Sequence, residues 1–134
     1  MKAFTLLRII CRLILPFVIL FGLFVVVNGD LSPGGGFQGG VVLASAFLVV
    51  YFISEEKPIP FSRIVRIEKA LFILLVLFGI LYMLLYQNVA VLLRGSLLQS
   101  FMELSLILLN LIIGFKVALG LCGIMVIFIE EGNP

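Results

Sequence analysis

LSLILLNLIIGFKVALGLCGIMVIFI, from Leu104 to Ile129, is a run of 26 residues with a single charge, Lys116, at its thirteenth position. A helix that crosses the roughly 30 Å hydrocarbon core of a bilayer needs about 20 such residues. Three more stretches qualify. They run from Leu6 to Val27, with Pro16 inside, from Phe37 to Ile53, which is short, and from Ile67 to Tyr86. The chain is 63% hydrophobic and 12% charged, against about 45–50% and about 25% in ordinary soluble domains. In 134 residues so much apolar surface cannot be hidden from water. The reading is an all-α integral membrane protein with four transmembrane helices in one membrane domain, 1–134.

Orientation follows from the cations. Of the nine Lys and Arg, Lys2, Arg8, Arg12, Lys57, Arg63, Arg66 and Lys69 fall on the side that carries both termini and the second loop. The opposite side has only Arg94. By the positive-inside rule both termini are expected in the cytoplasm. The first span reads as retained rather than cleaved, because its apolar run is long and no A-x-A-like site follows. Residues Ile59 to Lys69 mix apolar and basic side chains and are expected as an amphipathic lead-in at the cytoplasmic surface. Residues Val89 to Phe101 are expected to lie flat on the outer surface or against another subunit.

Between the first two spans stands Ser32-Pro33-Gly34-Gly35-Gly36-Phe37-Gln38-Gly39-Gly40. Part of it satisfies G-x-G-x-x-G, but that pattern binds dinucleotides only between a strand and a helix, and here membrane helices flank it. Pro33 suits a loop or a first helical turn. Gly34 to Gly36 permit backbone angles that side chains forbid. Gly35 with Gly39, and Gly36 with Gly40, have the small-xxx-small spacing that lets another helix approach closely. The stretch is therefore read as a helix-packing motif.

This string, Pro33 to Gly40 at the head of the second span, resembles the signature of the MnhB/MrpB family, the B subunits of Mrp-type multisubunit cation/proton antiporters. Chain length, span count and motif position agree with it. The resemblance implies a small subunit that helps exchange a monovalent cation such as Na+ for H+. The host would be a stand-alone antiporter or the antiporter-like part of a membrane-bound hydrogenase or sulfur-reducing respiratory complex. It implies other membrane subunits as partners, and the plasma membrane of a prokaryote. The alternative is a purely structural assembly subunit, with the ion paths elsewhere. No family ion-binding residue carries over onto this sequence.

Lys116 is the residue that physics singles out. A lysine at mid-span costs about 2.5–3.5 kcal/mol on insertion scales and faces protein or water rather than lipid. It is read either as bordering a proton or ion path or as half of an ion pair with another subunit. Gly120 and Gly123 share its helix face and leave room beside it. Glu103 opens the fourth span, where the helix dipole favours a carboxylate. Its other reading is a cation-access residue at the outer mouth, with Arg94 as local partner and with Asn110 and Gly114 on its face. Asp30 is placed in the outer loop, and Glu55, Glu56, Glu130 and Glu131 on the cytoplasmic surface. Cys11 and Cys122 fall in apolar runs and read as free thiols. The chain has no histidine, and no nucleophile constellation, paired intramembrane carboxylates or ligand cluster. An enzyme, a cofactor, a metal and a nucleic-acid partner are therefore not expected.

Overall fold

A computed structural model describes residues 2–29, 31, 33–54, 60–92 and 95–131. It contains four helices, α1 (Lys2–Val27), α2 (Gly35–Ile53), α3 (Phe61–Leu92) and α4 (Ser96–Glu131). Each is long and apolar enough to cross a membrane, and no strand occurs among the described residues. The protein is a multi-pass membrane protein. Helix α1 runs through Pro16 without a break, as membrane helices tolerate when neighbouring groups re-satisfy the freed carbonyl. Just past its end, the Asn28 side chain donates to the Phe24 carbonyl at 2.8 Å. The chain then reverses and enters α2 through Gly34, whose φ of 100° is left-handed and favours glycine.

One expectation needs correction. Where described, the residues from Val89 to Phe101 form no separate flat segment. They are the end of α3, to Leu92, and the start of α4, from Ser96, which follows Gly95 with φ 70°. The physical reason lies in the breakers: between Gly79 and Gly95 no glycine or proline interrupts the chain, so the backbone goes on bonding to itself as far as Leu92. The amphipathic lead-in, where described, forms the first turns of α3, with Ile64 buried and Arg63 and Arg66 exposed. As a result α4, with 36 residues, is about 54 Å long at 1.5 Å per residue, and Glu103 lies two turns inside it rather than at its N-terminus. Asp30, Ser32, Arg94 and the loop residues Glu55, Glu56 and Lys57 lie outside the described residues.

Helix α4 is the hub. It packs against α2, α3 and part of α1, and α2 also packs against α1. Among the described residues α3 touches α4 and no other helix. Helices α1 and α2 are antiparallel, α3 and α4 are antiparallel, and α2 and α4 run in parallel. The starts of α1 and α3 therefore share one end of the bundle. Arg8, Arg12, Arg63, Arg66 and Lys69 make this the basic end, and the glycine motif marks the other.

The glycine motif is consumed by packing on two sides. A Cβ on Gly36 would strike the Asn110 backbone, and one on Gly40 would sit 2.5 Å from the Gly114 carbonyl, both on α4. A Cβ on Gly39 would sit 2.8 Å from the Gly22 carbonyl on α1. Further along, Ala44 is buried with Ala118 and Cys122. Gly36, Gly40 and Ala44 thus face Asn110, Gly114, Ala118 and Cys122, small or slender residues four apart on each helix. In lipid such closeness supplies the van der Waals contact that holds helices together. Large side chains point outward instead: Leu13, Phe17, Leu20 and Phe24 of α1 are all exposed.

A Cβ at Gly79, by contrast, would meet open space. Gly36→Ala is expected to lower the stability of the detergent-solubilised protein by about 1–3 kcal/mol, the range for forced overpacking. Gly79→Ala is expected to leave it unchanged or raise it by up to about 1 kcal/mol, because Ala is the better helix former. Thermal loss of the native gel-filtration peak would measure both.

Candidate functional site

The residues of α4 that face away from α2 are the ones that meet α3. Lys116 is half a turn out of phase with Gly114 and Ala118, so the small-residue ladder that fixes α2 turns the lysine toward α3. There its Nζ donates to Glu68 Oε1 at 2.8 Å. The ammonium also lies 5.3 Å from the centre of the Phe72 ring, within cation–π reach. Glu68 and Phe72 are four apart and so share one face of α3. Both contacts of the lysine therefore come from this chain, not from another subunit. The pair is not sealed: the Lys116 and Glu68 side chains keep 30% and 27% of their surface exposed.

Beside the pair opens a cleft of about 280 Å³ between α3 and α4. Phe61, Ile64, Val65 and Glu68 line it from α3, and Gly120 and Gly123 from α4, with apolar residues as far as Ile127. The two glycines expected to leave room beside the lysine do so unequally. Gly120 has no neighbour near its missing Cβ, whereas Gly123 is approached by Ile64 at 3.6 Å and Phe61 at 3.8 Å. Ile64, 1% exposed, is the buried anchor of α3.

Sequence reasoning overlooked Glu68. The available signal was that it is the one acid between Ile67 and Tyr86. It is the second residue of that apolar run, where an acid is easily taken for part of the interface. The other candidates are not brought to the pair. Glu103 is exposed and accepts a bond from Gln99 Nε2 on its own helix at 2.9 Å. Thirteen residues separate it from Lys116, about 20 Å along α4. Asn110 belongs to the packing seam, where its Oδ1 accepts from the Gly36 N–H at 3.3 Å. Pro33 and Gly34 form the turn into α2, and Phe37 points outward from it. Among the described residues no three His, Cys, Asp or Glu side chains gather where a metal could sit. Cys11 and Cys122 are both free thiols, the second buried.

Removing one member of a buried ion pair costs more than removing both, because an uncompensated charge is left behind. Glu68→Ala and Lys116→Met are each expected to lower the melting temperature of the purified protein, by an equivalent of about 2 kcal/mol given the partial exposure. The double variant Glu68→Leu/Lys116→Met is expected to melt closer to the unaltered chain than either single change.

Comparison with known proteins gives this geometry a family. The family described as "Domain related to MnhB subunit of Na+/H+ antiporter" matches residues 6–123. Among curated proteins, the chain is similar to those named antiporter subunit mnhB2 from Staphylococcus aureus strains Newman, JH1 and COL. Each is 37% identical over 71 residues, or 48% of this chain and 50% of the relative. The chain spans about half the length of the curated relatives it matches. No solved structure matches it. With four membrane-crossing helices, the glycine motif at the head of α2 and a family match over most of its length, the chain belongs to the MnhB family.

Proposed function

We propose that the chain is a small membrane subunit of a multisubunit cation/proton antiporter module, which exchanges a monovalent cation such as Na+ for H+. The family match over residues 6–123 carries this reading. The antiporter-subunit names of the staphylococcal relatives support it. The module stands alone, or serves a membrane-bound hydrogenase or sulfur-reducing respiratory complex whose catalysis lies in other subunits. In either setting this chain is a transport component rather than an enzyme, one membrane domain with other membrane subunits as partners. The basic end faces the cytoplasm of a prokaryotic cell, with both termini on that side. The bacterial relatives fit this placement.

Within the module Lys116 borders the ion or proton path, and Glu103 stands at the opposite mouth as a cation-access residue. The partial exposure of the Glu68–Lys116 pair supports the first assignment, because charges inside a bilayer face water or protein rather than lipid. The segment Pro33, Gly34, Gly35, Gly36, Phe37, Gly39 and Gly40 holds α2 in place.

The tight seam of α2 against α1 and α4 favours a second reading, a purely structural assembly subunit. Lys116→Ala in the intact complex, with sodium-dependent proton flux as the readout, separates the two. The antiport reading expects flux to fall by at least about tenfold, within the range that positioned proton-transfer groups contribute, while the complex stays assembled. Unchanged flux and assembly would remove the lysine from transport. The structural reading would then stand if Gly39→Leu or Gly40→Leu disperses the complex.

A further inference from the structure

We propose that the α3–α4 cleft is a water-filled access path for protons from the basic end of the bundle, and that Glu68 takes them up there and passes them to Lys116. This rests on the antiporter reading and adds to it a route, a direction and a residue.

The geometry of the cleft carries the route. Phe61 and Ile127 flank one end of it and Glu68 lies at the other. Seven residues of helix, about 10 Å, separate the first turn of α3 from the carboxylate. The volume of about 280 Å³ admits several waters at about 30 Å³ each. The Glu68 carboxylate at the inner end is the polar group on which a file of water entering the cleft would end. Lipid chains cannot fill this space without meeting the Glu68 carboxylate at its inner end, whose side chain keeps 27% of its surface exposed, and that is the contact lipid disfavours.

The chemistry of the lining selects the proton over a metal cation. Among the described lining residues Glu68 alone has a side-chain oxygen, and that carboxylate already accepts from the lysine at 2.8 Å. One occupied carboxylate is a poor ligand set for a dehydrated cation, whereas a proton needs one lone pair. The steps balance. A proton from water in the cleft neutralises the Glu68 carboxylate. Lys116, whose side chain keeps 30% of its surface exposed, releases one proton to a water molecule on the side away from the cleft and becomes neutral. The Glu68 hydroxyl then gives its proton to Lys116 Nζ, which restores carboxylate and ammonium. One proton has entered and one has left.

The same helix pair contains its own control. In the other half of the α3–α4 interface a groove of about 110 Å³ is lined by Phe78, Gly79, Tyr82, Ser105, Leu106 and Leu109, without a charge. Ser105 is occupied there, its hydroxyl donating to the Phe101 carbonyl at 2.7 Å. Gly79 and Gly120 both have open space where a Cβ would stand, so cysteine fits either.

The experiment uses the intact complex in oriented vesicles, with Cys11→Ser and with Cys122, 1% exposed, left in place. A charged, membrane-impermeant methanethiosulfonate is applied from each side in turn. Gly120→Cys is expected to react at least about tenfold faster than Gly79→Cys, since thiol modification follows access to water, and only from the side of the basic end. Ile124→Cys, also in the cleft lining, substitutes if Gly120→Cys fails to assemble. Glu68→Gln is expected to cut proton flux by at least about tenfold, with Glu68→Asp keeping a measurable part. Slow labelling of both cleft cysteines in assembled complexes, labelling from the opposite side, or full flux in Glu68→Gln would each overturn the proposal. None of these touches the antiporter assignment itself, which fails instead if deleting the whole chain leaves sodium-dependent proton flux intact.

Discussion

Apolar helices in a bilayer gain little from meeting each other, because lipid chains are as apolar as leucine. What holds α2 to α4 is backbone closeness, obtained by setting Gly36, Gly40 and Ala44 against Asn110, Gly114, Ala118 and Cys122. Everything else about the bundle follows from that seam. It uses one face of α4 completely, so the opposite face, with Lys116 and Gly120, is left for α3. On its other side Gly39 brings α1 in through Gly22 and Val26. A single side chain larger than hydrogen at Gly36 or Gly40 would push apart two backbones and, through α4, shift the lysine as well.

Much of this was legible in the residues. Four apolar runs name the four helices, and the paired four-residue spacing of the glycines announces close packing. Helix limits were less legible, because an apolar run marks the part of a helix that suits lipid, not the part that is helical. Helix α3 begins at Phe61 and continues to Leu92, well past both ends of its apolar run. The partner of Lys116 was missed for a related reason. Position along a sequence gives depth in the membrane, but not which of two helices turns its acid toward which base. That needs the rotation of α4, which its seam with α2 determines, and the antiparallel register of α3 against it.

The ion pair shows how far one chain goes toward making an intramembrane lysine tolerable. A carboxylate at 2.8 Å and an aromatic face at 5.3 Å offset much of the cost of taking the charge from water. The remaining exposed surface implies a further polar or protein neighbour on that side. Glu103, some 20 Å away along α4, takes no part in this balance. It is tied to Gln99 on its own helix, and whatever it does is done at the other end of the bundle.

The slender attachment of α3 gives the pair a mechanical meaning. Helices α1, α2 and α4 form an interlocked block, while among the described residues α3 packs against α4 alone. Glu68 and Phe72 both ride on that helix. A slide of one helical turn, about 5.4 Å, would carry the counter-charge away from a lysine that stays with the block.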